Sequence, residues 1–199
     1  MNCTISIDGD LPKRIGLGKG ELKSAARYFA ARSSARCGTA FREVSVVLQN
    51  DGSSDEAHRA IMGVAGATDV ITQGYDAMPG EAEGVYGELY VNCDRAVSAA
   101  QERHGWSPAK ELLLYVAHGM DHLSGEDDHS PSGYARMRRR ELGWLRDFAH
   151  STGKSFMVYY VQWPQERQKI LVPRGTTTSW RLRRSSRSAL TARAATWAP

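Results

Sequence analysis

Apolar and polar positions along the first 150 residues switch repeatedly between a two-residue and a three-to-four-residue period, so short strands and helices are predicted in alternation. Cys3 to Ile7 is a β-prone run closed by Asp8-Gly9-Asp10, and Gly20 to Ala35 places Leu22, Ala25, Ala26 and Phe29 on one helical face. Val44 to Leu48 reads as a strand. Ser53-Ser54-Asp55-Glu56 reads as the start of a helix reaching Met62, and Thr68 to Thr72 returns to β-prone residues. A flexible connection from Gly74 to Gly84 leads into a further strand, Glu88 to Cys93. Asp94 is expected to cap a helix through about Arg103, and Ser107-Pro108 opens another, because a hydroxyl cap precedes proline at the first helical position. Leu112, Leu113, Val116 and Met120 give that helix a broad apolar surface, and Gly125 is placed to end it. Ser132 to His150 is a further amphipathic helix, with Tyr134, Met137, Leu142, Leu145 and Phe148 available for burial. The expected fold is α+β: one domain over residues 1–150, with a small mixed sheet flanked by helices.

Composition supports one globular domain with room for a core, since 41% of the 199 residues are apolar and 24% charged. No window approaches the roughly eighteen apolar residues of a membrane span, and the first six residues lack the features of a signal peptide, so a cytoplasmic location is expected. Cys3, Cys37 and Cys93 are odd in number and widely spaced, which suits reduced thiols rather than a disulfide framework.

The net charge of +4 is unevenly placed. Residues 165–199 hold eight basic side chains and one acidic, leaving 18 basic and 21 acidic in positions 1–164, a net charge of −3. Whole-chain basicity therefore belongs to the tail and says little about the partners of the body. Residues 151–164 read as an extension in which Phe156 to Val161 forms an added edge strand, and 165–199 as a basic, disordered tail.

The chemistry concentrates in His118-Gly119-Met120-Asp121-His122-Leu123-Ser124-Gly125-Glu126-Asp127-Asp128-His129. Residues four apart on a helix stand one turn above each other, so His118 and His122 can aim two imidazole nitrogens at one point. A turn at Gly125 lets Asp128 or His129 swing back as a third ligand. Three protein ligands and an open position describe a catalytic zinc site, whereas structural zinc is closed by four ligands, often cysteines, and no cysteine lies near this motif.

His118-Gly119-x-x-His122-Leu123-x-Gly125 followed by acidic and histidine residues resembles the signature of the YbeY family. Thr68-Asp69-Val70-Ile71-Thr72, Gly87-Glu88-Leu89-Tyr90-Val91-Asn92 and Arg136-Met137 to Glu141 resemble further family segments in family order. The resemblance implies an endoribonuclease holding one Zn²⁺, specific for single strands and acting in ribosomal RNA maturation and ribosome quality control. Its implied partners are single-stranded RNA, an rRNA precursor and the small ribosomal subunit, with neither membrane nor DNA. The family's third histidine lies ten residues after the first, where this chain has Asp128, with His129 one residue later. His129 is the expected third ligand because imidazole is the commoner zinc ligand, with Asp128 the alternative. A basic residue usual in the family six positions before the Thr68 segment is Met62 here, and Arg59 is the candidate replacement.

Asp121 stands where the family is usually apolar, three residues from His118, where it can accept a hydrogen bond from a ligand imidazole or serve as a base; an exposed helix carboxylate is the other reading. Arg138 and Arg139, in the run Arg136 to Arg140, are the candidates for phosphate contact. Two rival functions remain at this point. A zinc peptidase needs glutamate directly after the first histidine, where this chain has Gly119. A ribosome-associated binding protein in which the metal only stabilises the fold is the other.

Overall fold

The computed structural model describes residues 3–153, so the strand expected over Phe156–Val161 and the basic tail lie outside the described residues. The elements are β1 (Thr4–Asp8), α1 (Lys19–Cys37), β2 (Phe41–Gln49), α2 (Asp51–Met62), β3 (Val70–Tyr75), β4 (Val85–Asn92), α3 (Cys93–Gln101), α4 (Pro108–Leu123) and α5 (Pro131–Thr152), with a 3-10 turn at Lys13–Ile15. The sheet order is β1-β2-β4-β3. β1 and β4 flank β2 in parallel, while β3 pairs antiparallel with β4, so the sheet is mixed as expected and the fold is α+β.

Several boundaries move, each because a cap sits elsewhere than the sequence reading put it. The helix expected under Asp94 begins at Cys93, because Asn92 Oδ1 accepts the backbone N–H groups of Asp94 and Arg95 at 3.0 and 3.1 Å. Asn50 likewise caps α2 through Ser53 N–H at 2.9 Å, so the helix begins at Asp51, two residues before the expected start. The final helix begins at Pro131 under a Ser130 cap, repeating the Ser107-Pro108 device that opens α4. Tyr134, expected in the core, is exposed. The core face of α5 is drawn by Met137, Glu141, Trp144, Leu145 and Phe148, and Tyr134 lies off that stripe.

α4 is the central helix. It packs on α1, α3 and α5 and against β3 and β4, and every residue from Glu111 to Asp121 is buried. Leu112, Leu113 and Leu114 are almost completely removed from water, worth about 1.5–3 kcal/mol each. Two glycines permit the close approach to the sheet. A Cβ on Gly119 would stand 2.6 Å from Leu89 Cδ2, and one on Gly87 would stand 2.5 Å from Leu123 Cδ2. The histidine pair is thereby carried into the interior on a helix fixed from all sides.

Candidate metal centre

His118 and His122 face the same point from successive turns of α4, with ring centroids 4.4 Å apart and planes at 81°. Their Nε2 atoms lie 3.0 Å from one another. Each Nδ1 is already committed: that of His118 is 2.7 Å from Glu141 Oε1 on α5, and that of His122 is 3.0 Å from the carbonyl oxygen of Glu126. A carbonyl has no proton to give, so Nδ1 of His122 is the donor and its Nε2 carries a lone pair. Glu141, as a carboxylate, sets His118 the same way. Two lone pairs 3.0 Å apart are repulsive unless a cation or proton lies between them, and the separation is near the roughly 3.3 Å of two nitrogens on a tetrahedral zinc ion.

Asp128 completes the group. Its carboxylate is buried, with Oδ2 3.7 Å from His118 Nε2 and Oδ1 3.9 Å from His122 Nε2. His118, His122 and Asp128 together offer three ligand atoms within 4.8 Å of one another. The donor set, two imidazoles and a carboxylate with both imidazole orientations held from behind, fits a divalent ion. His129, the ligand the sequence reading preferred, is turned outward: its side chain is 64% exposed and its Nε2 lies 3.5 Å from Asp127 Oδ1. With Asp127 and Asp128 it forms a second group of ligand atoms, two of whose members are exposed.

The loop that aims Asp128 is shaped at both ends. Gly125 takes the left-handed backbone at φ 86°, and its N–H donates to the His122 carbonyl at 2.8 Å as α4 ends. At the far end the Asp127 carbonyl packs against the first turn of α5, 2.7 Å from where a Cβ on Gly133 would stand. Between them Glu126 is clamped by arginines: its Oε1 is 2.6 Å from Arg36 Nη1 and its Oε2 2.8 Å from Arg140 Nη2. Arg140 holds the Glu126 carboxyl below its usual pKa.

Asp121 belongs to that clamp and is not a partner of the histidines. It is fully buried, and its Oδ2 accepts from Arg140 Nε and Nη2 at 2.9 and 2.6 Å, with Arg36 Nε 3.6 Å from Oδ1. Neither the exposed carboxylate nor the ligand-orienting role anticipated for Asp121 is found. The group behind His118 is Glu141, 23 residues away in sequence.

Electrostatics separate the two imidazoles. Burial opposes a charge on His118, but the Glu141 hydrogen bond, with Asp128 and Asp69 near, leaves its pKa raised. Burial and the neighbouring His118 lower that of His122. The pair thus favours one proton and opposes a second.

A cleft of about 280 Å³ opens on the pair, lined among others by His58 and Met62 of α2, Asp69, Thr72 of β3, His118 and His122. Burial raises the Asp69 pKa; its Oδ1 accepts from Val70 N–H at 2.9 Å and from the Thr68 hydroxyl at 3.1 Å. His58 is a further cleft residue, which no local motif in the sequence marks. Arg59 points elsewhere, with a 62% exposed side chain paired to Asp55 at 2.9 Å. Arg139 is exposed, and Arg138 is partly buried with Nη1 3.7 Å from Oε2 of Glu141, the carboxylate behind His118.

Comparison with known proteins gives the same family for sequence and relatives. A family model described as Endoribonuclease YbeY matches residues 18–149. The Endoribonuclease YbeY of Rhodopirellula baltica is 36% identical over 104 residues, 52% of each chain, so this chain spans about half the length of that relative. That of Salinibacter ruber is 30% identical over 149 residues, 71% of this chain and 89% of its own, and that of Moorella thermoacetica 31% over 151 residues, 71% and 93%. A solution structure of a Thermotoga maritima protein shares the fold, with a TM-score of 0.52 at 22% identity over 80% of this chain and 99% of the other.

Proposed function

The chain belongs to the YbeY family, and from that premise we propose that it is a zinc-dependent endoribonuclease cutting single-stranded RNA in ribosomal RNA maturation and ribosome quality control. The observation that carries the reading is the pair of imidazole Nε2 atoms 3.0 Å apart, each with its Nδ1 engaged from behind and a buried Asp128 carboxylate beside them. His118, His122 and Asp128 hold the ion in this reading. Zinc in such a site supplies a Lewis acid for a phosphodiester and for water.

The protein's own part is to hold charge and shape. Glu141 and the Glu126 carbonyl keep both Nδ1 protons in place, so neither ring can turn its lone pair away. The buried carboxylates of Asp69, in the cleft lining, and of Asp128, beside the histidines, put negative charge at the site, which an ion must offset before a phosphate can approach. A single strand suits the 280 Å³ cleft because its backbone can bend and splay a base, which a paired strand resists. The peptidase reading lacks its base, because position 119 is glycine, and a Cβ there would stand 2.6 Å from Leu89 Cδ2, so a glutamate would have to displace that side chain.

The test is cleavage of an end-labelled single-stranded RNA by purified protein, with chelator and with added zinc, beside His118→Ala/His122→Ala. Zinc-restored cutting that is absent from the double variant is the expected result. Stoichiometric zinc without cutting, on single-stranded RNA and on ribosomal particles alike, returns the weight to a metal-stabilised ribosome-binding protein.

A further inference from the structure

His58, on α2, lines the same cleft as the histidine pair. Its ring is oriented by a short relay. Asp55, one turn earlier, accepts the Gly66 N–H at 2.5 Å, which braces the loop after α2, and the Gly66 carbonyl lies 2.8 Å from His58 Nδ1. Gly66 takes φ 106°, a left-handed backbone open to glycine, so this return of the loop depends on that residue. Because the carbonyl only accepts, Nδ1 carries the proton and Nε2 of the neutral ring is an acceptor.

The rest of the lining narrows what that acceptor can meet. Among the described residues the cleft lining carries neither lysine nor arginine, so His58 and Met62 on the α2 side stand beside no fixed cation for a phosphate. Met62, one turn along α2, is apolar. Asp69 is buried, and its Oδ1 is already taken by Val70 and Thr68. With the Asp69 carboxylate in the lining disfavouring a phosphate, an acceptor at His58 selects a neutral donor, and the neutral donor repeated along RNA and missing from DNA is the ribose 2′-hydroxyl.

We propose that His58 is a specificity-determining residue that accepts a hydrogen bond from a ribose 2′-hydroxyl of the strand in the cleft. This rests on the ribonuclease reading. The experiment measures kcat and KM on single-stranded RNA for the wild type, His58→Ala and His58→Asn, with a DNA strand of the same sequence as an uncut competitor and zinc content determined for each. The expected result is a KM about tenfold higher in His58→Ala, partial recovery in His58→Asn through its amide oxygen, an unchanged inhibition constant for the DNA competitor, and unchanged zinc. An unaltered KM overturns the proposal. So does an equal loss for RNA and DNA, which assigns the contact to phosphate, or a loss of zinc, which makes His58 part of the metal site. If the wild type cuts no RNA under any condition, the ribonuclease reading has failed and takes this one with it.

Discussion

Glu141 Oε1 lies 2.7 Å from Nδ1 of His118, a contact between two buried side chains on different helices. It fixes which nitrogen of His118 faces the cleft and raises the electron density on that nitrogen. Glu141→Gln keeps the acceptor and loses the charge, so zinc affinity is expected to fall about 10- to 100-fold while the far-ultraviolet dichroism stays unchanged. Competition with a fluorescent chelator measures it. Equal affinity in the two proteins would remove Glu141 from the support of the site.

The Asp121–Arg140 pair predicts a strong asymmetry between single and double substitutions. Arg140→Met leaves the fully buried Asp121 with Arg36 alone at 3.6 Å, a loss of about 3–5 kcal/mol. Asp121→Leu/Arg140→Met replaces both charges with apolar volume and is expected to recover most of that stability. Urea unfolding midpoints of the three proteins decide the matter. Additive losses in the double variant would show that the pair is not coupled.

Gly119 is predicted to accept a side chain only at a cost in stability. Its missing Cβ lets α4 rest on Leu89 of β4, and Gly119→Ala places a methyl 2.6 Å from Leu89 Cδ2, at a cost of about 1–3 kcal/mol. Leu89→Ala in the same chain opens room and should return part of the loss relative to Leu89→Ala alone. Thermal unfolding reads both.

Arg138 and Arg139 are expected to contribute charge to RNA binding beside the site. Arg138→Ala/Arg139→Ala should weaken affinity and reduce the slope of log K against log salt by up to about 1.4, the value for two single-strand phosphate contacts. Anisotropy titrations at several salt concentrations give the slope. An unchanged slope would remove both residues from contact with phosphate.

The local grammar of the chain carried much of this arrangement. The four-residue spacing of His118 and His122, the Ser107-Pro108 start and the Gly125 stop are all short-range signals, and each holds in the structure. What failed depends on packing between distant segments. Asp121 reads as a polar helix residue until Arg140, 19 positions later, is packed on it, and no local pattern pairs them. Glu141 reaches His118 only because α5 folds back on α4. The preference for His129 over Asp128 came from ligand chemistry, whereas the turn from Gly125 to Gly133 sends position 128 inward and 129 to solvent. The Glu-Arg-Arg clamp on Glu126 gives that turn its shape, and its members come from three separate parts of the chain.

A metal-dependent nuclease centre made by His118, His122 and Asp128 is tested by comparing Asp128→Ala with His129→Ala. Zinc per chain by mass spectrometry and cutting of single-stranded RNA are measured on the same preparations. The structure predicts that Asp128→Ala loses both zinc and cutting, while His129→Ala keeps both near the wild-type level. Retained zinc and activity in Asp128→Ala, with both lost in His129→Ala, would contradict it.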